Sequence, residues 1–205
     1  MNDVEKILQV IKLGEGLKKE IRHSWLSDGR KESVAEHTWR VSLMAILVEK
    51  KLKQKIDIEK LLKMIVIHDL VEVKAGDIPA FDTINNQANK LEKLENEIKA
   101  MEEIKEMLPE DIGQELFDLW MEFERKESNE AKVANALDKL EAQIQHNEAD
   151  ISTWLEVEKG MTFLLGQHTE FDSFLDDLKK EIEKDGEEKL IHSGVDVTKY
   201  KESIG

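Results

Sequence analysis

Only two prolines, Pro79 and Pro109, occur in 205 residues. Proline breaks the helical hydrogen-bond ladder, so nearly all of this chain is free to keep one. The apolar residues use that freedom: Val4, Ile7, Leu8 and Ile11 recur at helical spacing, and so do Val34, Val41, Met44, Ala45 and Val48. Ten glycines and 37% charged residues point the same way, because strand-rich domains need more turn residues and β-branched runs. The expected fold class is therefore all-α, with strand content near zero.

Local signals divide the chain into helices. Ser33-Val34-Ala35-Glu36 reads as a capping box, in which serine and glutamate satisfy each other's orphan amides. A helix is expected from just after Asp57 to about Val73, with Gly76 and Pro79 ending it. The charged stretch 87–108 carries one apolar stripe, Leu91, Leu94, Ile98, Met101 and Ile104, and is placed to flank or cover a site. Pro109 opens the next helix, leading to Leu116, Leu119, Trp120 and Phe123. Ser128 caps another, through Val133, Ala136, Leu137, Leu140 and Ile144, and a last helix runs from Thr169 to about Lys184. No repeat and no Gly/Ser/Pro-rich linker divides the chain, so one domain is expected over 1–185, followed by a loosely held tail, 186–205.

Acidic residues outnumber basic ones, 45 to 30, giving a formal net charge of −15. That balance argues against long nucleic acids as partners, since such binding needs Lys and Arg on the phosphates. The complete lack of cysteine removes disulfide scaffolds, thiolate zinc sites and cysteine nucleophiles. The longest apolar runs, such as Met64-Ile65-Val66-Ile67, are too short to span a bilayer, and the polar N-terminus is unlike a signal peptide. A cytoplasmic protein without a membrane partner is expected.

Of the six histidines, His68 stands out by its neighbours. With His68 at zero on an ideal helix, Asp69 falls at roughly 100° and Glu72 at roughly 40°. Imidazole and carboxylate side by side are natural ligands for a divalent cation, with Glu72 in reach of a water on it. The same three residues also suit a capped, salt-bridged helix end. His37 lies four residues after Ser33, and Asp138 lies in an apolar stretch where an unpaired carboxylate is costly to bury. Should the helices bring both to His68 and Asp69, the four form a two-His, two-Asp cage suited to one borderline transition metal rather than to magnesium alone. His146, His168 and His192 need no role beyond a solvent-facing or partly buried imidazole.

The order His37, His68-Asp69, Asp138 resembles the H…HD…D signature of the HD-domain metal-dependent phosphohydrolases. Glu32-Ser33-Val34-Ala35-Glu36-His37, His68-Asp69-Leu70-Val71-Glu72, Gly76-Asp77-Ile78-Pro79, Glu130-Ala131-Lys132 and Leu137-Asp138-Lys139-Leu140-Glu141 are similar to the 5′-deoxynucleotidase subgroup. The resemblance spans roughly residues 5 to 147 and implies a single helical bundle with an additional C-terminal helix. It implies His37, His68, Asp69 and Asp138 as ligands of one divalent metal (Mn, Co, Fe, Ni or Zn before Mg) and Glu72 as the residue that orients and deprotonates the metal-activated water. It also implies Asp77 as a second acid that touches the sugar and assists the chemistry, with Arg22 and Trp25 holding the phosphate and packing beside the substrate. In some bacterial members that Arg and Trp are adjacent, whereas here His23 and Ser24 intervene. Lys93 and Glu97 loosely match a Lys-x-x-x-Glu pattern of a covering helix, but read as a solvated charge pair.

The implied activity is release of phosphate from small (deoxy)nucleoside 5′-monophosphates. The alternatives are another small phosphate, such as a nucleoside triphosphate or a signalling nucleotide, and a metal-stabilised interaction protein without turnover. Glu72 argues against the last, because a purely structural site needs no spare base. Relatives of this kind are often dimers, so a homodimer is a further expectation.

Overall fold

The computed structural model describes residues 1–77 and 87–202. Ile78 and Pro79, expected to follow the helix stop at Gly76, lie outside the described residues. In chain order come α1 (Asp3–Leu13), a hairpin of β1 (Ile21–Trp25) and β2 (Lys31–Ser33), α2 (Val34–Val48), α3 (Ile58–Ile67) and the single turn α4 (Glu72–Ala75). They are followed by α5 (Gln87–Met107), α6 (Glu110–Arg125), α7 (Asn129–Glu148), α8 (Glu156–Met161), α9 (Gly166–Thr169), α10 (Ser173–His192) and α11 (Thr198–Glu202). The all-α expectation holds, with the antiparallel β1–β2 hairpin as an addition.

The centre of the bundle is α7, which packs against α2, α3, α6 and α10. It buries Val133, Ala134, Ala136 and Leu137 with almost no remaining exposure, in one core with Val41, Leu61, Met64, Ile65 and Met101, while Leu140 packs with Leu165 and Ile182. Burial of that apolar area drives the packing. The same helix also buries Asn135, Asp138, Glu141, Gln143 and Gln145. A helix surrounded by others presents every face to protein, so these polar groups need partners, and the partners make the site.

Capping follows the expected chemistry. Ser33 and Glu36 form the reciprocal box at the start of α2, and Asp57 and Ser128 accept amides at the starts of α3 and α7. One close approach depends on a missing side chain: a Cβ at Gly113 of α6 would stand 2.5 Å from the carbonyl oxygen of Lys105 on α5.

Two boundaries differ from expectation. The helix expected to run through to Val73 stops at Ile67 and resumes at Glu72, and the amides of Leu70, Glu72 and Val73 reach back three residues instead of four. The helix expected from Thr169 to about Lys184 is α10, which starts at Ser173 and runs on to His192, so the boundary expected at 185 falls inside it, and Leu190 is fully buried. Trp120 and Trp154 are both core residues, with indole N–H groups donated to the carbonyls of His68 and His146 at 3.0 and 2.9 Å. Among the described residues, no helix is long and apolar enough to cross a membrane.

Candidate active site

His37 enters the interior one turn into α2, where the capping box has fixed the direction of the helix. Its ring is 0% exposed, with Nδ1 hydrogen-bonded to Glu141 of α7. Its Nε2 lies 3.1 Å from Asp138 Oδ1 and 3.8 Å from Asp69 Oδ2. His68 stands where α3 breaks off. There its Nδ1–H donates to the Ile65 carbonyl at 2.6 Å. A carbonyl only accepts, so the proton sits on Nδ1 and the Nε2 lone pair is left facing Asp69 Oδ2, 3.2 Å away. The break that periodicity alone does not reveal is thus what turns His68 and Asp69 inward together, while Trp120 caps the freed His68 carbonyl.

The ligand atoms of His37, His68 and Asp69 all lie within 4.8 Å of one another. His37 Nε2, His68 Nε2 and Asp69 Oδ2 are buried without a hydrogen-bond partner. Buried nitrogen and oxygen lone pairs left unmatched and converging on one point fit a cation, since leaving them so without one is costly. Electrostatics agree. Burial and Arg22 oppose charge on His37, yet Glu141 and Asp138 outweigh them and push its pKa up to about 9. The pKa of His68 rises against its burial, through Asp69. Asp69 is held below the usual carboxylate range despite burial, by His68, His37 and Arg22, and Asp138 likewise by Lys139 and His37. The acids thus favour positive charge at this point.

Around this centre the bundle opens into a cavity of about 330 Å³, bounded by His68, Asp69, Glu72 and Asp138 and closed by Leu91 and Leu94 of α5. Glu72, at the start of α4, is 5% exposed, and its Oε2 has no hydrogen-bond partner. Burial first, then Asp69 and Asp77, push its pKa up to about 10. Arg22 of β1 places its guanidinium 3.6 Å from both Asp69 and Glu32. Lys139 lies 2.9 Å from Asp138. Asp77 donates its backbone N–H to Glu20 at 3.0 Å, and its charge reaches both Arg22 and Glu72.

Of the eight residues singled out in the sequence, seven gather here: His37, His68, Asp69 and Asp138 in one cluster, with Glu72, Arg22 and Asp77 around it. His37, Arg22, Asp77 and Trp25 do not line the cavity; the first three act on the cluster through ion pairs and charge, and among the described residues no such contact joins Trp25 to it. Trp25 lies three positions beyond Arg22 on a strand with a register shift, gives its carbonyl to Gln145 at 2.6 Å, and meets the Lys31 ammonium 5.5 Å from its ring. Lys93 and Glu97 do line the cavity, 3.5 Å apart, and are not the solvated pair expected, because the stripe of α5 turns them inward. Glu97 is 9% exposed, and its pKa rises to about 7 by burial. Sequence reasoning gave no role to Glu141 and Glu32, both buried beside His37. The available signal for Glu141 was its place three residues after Asp138, on the same helical face.

A family profile described as an HD domain matches residues 14–179. The human protein 5′-deoxynucleotidase HDDC2 is 33% identical over 144 residues, covering 69% of this chain and 67% of that protein. Its Danio rerio counterpart is 35% identical over 147 residues, covering 71% and 70%. Among solved structures, one described as a predicted metal-dependent phosphohydrolase from Magnetospirillum magnetotacticum MS-1 aligns with a TM-score of 0.75 at 28% identity, over 90% of this chain and 97% of that one.

Proposed function

The chain belongs to the HD-domain family, and on that premise we propose that it is a metal-dependent 5′-nucleotidase that releases phosphate from deoxynucleoside 5′-monophosphates. One observation carries the reading. A buried set of unmatched imidazole and carboxylate atoms opens onto a cavity lined by Glu72, a buried carboxyl with one oxygen unpartnered, while the guanidinium of Arg22 stands 3.6 Å from Asp69.

His37, His68, Asp69 and Asp138 are the proposed ligands of one divalent ion, a transition metal such as manganese, cobalt, iron, nickel or zinc. When bound, such an ion neutralises charge on phosphoryl oxygens and lowers the pKa of a water. The chain's own groups supply the rest. Glu141 and the Ile65 carbonyl fix the imidazole tautomers, so that both Nε2 lone pairs stay available. Arg22 offers a planar fork to two phosphate oxygens, a geometry lysine lacks. Glu72 Oε2 accepts the proton of the attacking water; positive charge in the site brings its raised pKa down towards working pH, where a general base is most effective. Asp77 is the proposed contact for the sugar, while Leu91, Leu94 and Phe123 supply apolar cover for the base.

A second copy of the chain is the proposed partner: Trp39, Leu43, Ile46 and Leu47 form an exposed apolar stripe along α2 that a homodimer would cover. A solution mass of one chain, 23.7 kDa, would overturn that assembly.

The substrate reading is tested by phosphate release across a panel of deoxy- and ribonucleoside mono- and triphosphates. Deoxynucleoside monophosphates are expected to lead. Preferential turnover of triphosphates moves the protein to the other small-phosphate class, and no release from any of them leaves the interaction-protein reading.

A further inference from the structure

Glu158 is a buried carboxylate that the proposed chemistry does not use. It lies in α8, behind the cavity wall, and is 3% exposed. One oxygen accepts the Leu155 amide at 2.6 Å, which caps the short helix. The other lies 3.4 Å from His23 Nε2 and 3.7 Å from His146 Nε2. Capping alone does not account for a carboxylate buried between two imidazoles, because an amide or hydroxyl would cap as well without the desolvation cost of a charge.

His23 is the residue next to Arg22 on β1, and successive side chains of a strand leave it in opposite directions. Arg22 accordingly reaches Asp69 and Glu32, while His23 reaches Glu158. The strand needs such a hold. A two-stranded hairpin is marginal by itself, and the pairing of β1 with β2 is irregular between Ile21 and Trp25. Arg22 is not fixed by its own contacts either: both ion pairs are long, at 3.6 Å, and its Nε has no hydrogen-bond partner. The position of the guanidinium therefore depends on where the backbone of β1 is held. Three contacts from behind set that position: Gln145 on the Trp25 carbonyl, His146 on the His23 backbone, and Glu158, 3.4 Å from the His23 ring. The helix α7, which carries Gln145 and His146, also carries Asp138, so these ties refer the strand to the element that holds the centre of the site.

We infer that Glu158 is a positioning residue for Arg22, holding β1 through His23 so that the guanidinium stays over Asp69. The inference rests on the reading of Arg22 as the phosphate-holding group. It gives α8, which follows the last of the sequence motifs, Leu137-Asp138-Lys139-Leu140-Glu141, a part in the reaction.

The test is a double-mutant cycle read as kcat/KM for a deoxynucleoside monophosphate. Glu158→Gln keeps an acceptor for the Leu155 amide and removes the charge that holds His23. Alone it is expected to lower kcat/KM roughly tenfold, within the range of coupling between interacting residues, with bound metal per chain unchanged. In an Arg22→Ala background it is expected to have no further effect. A full tenfold loss in both backgrounds overturns the positioning role and leaves the reading of Arg22 intact. An Arg22→Ala protein as active as the parent overturns that reading and this inference together. Should Glu158→Gln fail to fold, His23→Gln breaks the same tie from the strand side, and the same pair of outcomes decides.

Discussion

His37 and Glu141, 104 positions apart in the chain, meet in the interior with neither side chain exposed, the carboxylate gripping the imidazole Nδ1. Arg40 in turn holds the other oxygen of Glu141 at 2.6 Å. The ring is therefore fixed from behind, and its Nε2 can only face Asp138 and Asp69. Glu141→Gln is expected to weaken metal binding by about 10–100-fold, the usual cost of losing the partner of a metal-binding histidine. Competition with a chelator of known affinity measures it. An unchanged affinity would remove Glu141 from the site.

Glu72→Gln separates binding from chemistry. Its carboxyl is buried next to the ligand set, yet it stands in neither group of converging ligand atoms. Metal content per chain is expected to stay at the parent level, while kcat falls by about 10²–10⁴-fold, the contribution typical of a positioned general base. Loss of metal with activity would make Glu72 a ligand instead.

Proton uptake and metal uptake compete at the same atoms. Without an ion, the raised folded-state pKa of His37, at about 9, means that its ring carries an extra proton at neutral pH, and Asp69 shifts His68 in the same direction. A metal takes only a neutral imidazole. Metal binding is therefore expected to release protons and to tighten as pH rises, levelling off above about pH 9. Titration calorimetry in buffers of different ionisation enthalpy reads the proton count directly. Zero release at pH 7 would contradict these assignments.

Gly113 lets α6 lie against α5, the helix that closes the cavity. A methyl group there would stand 2.5 Å from a backbone oxygen, which cannot rotate away. Gly113→Ala is expected to destabilise the fold by about 1–3 kcal/mol, as overpacking does, despite the higher helix propensity of alanine. Thermal unfolding checks this, and a raised Tm would show that α5 and α6 separate freely.

Much of this was legible in the sequence because the signals were local. Ser33 and Glu36 announce a helix start three residues apart, and Asp138 is conspicuous as a carboxylate in an apolar run. The break at His68 was not legible. Leu70 and Val71 continue the apolar pattern, so nothing local reveals that the helix unwinds there, and its cap, Trp120, comes 52 positions later. The hairpin was too short for alternation to register: five residues and three, with a shift of register between them. Glu141 looked like one more acid among 45, and only its contact with His37 distinguishes it. The continuation of α10 to His192 was masked by its charged outer face; Leu190 marks the side that packs inward.

The central claim is that four side chains, from two helices and the turn after α3, hold one ion on which phosphate release depends. It is tested most directly by stripping the protein with a chelator and titrating back manganese or cobalt, while following phosphate release from a deoxynucleoside monophosphate, in parallel with His68→Ala. Activity is expected to vanish on stripping, to return at one metal ion per chain, and to stay absent in His68→Ala at every metal concentration. Undiminished phosphate release from the stripped protein, or from His68→Ala, would contradict it.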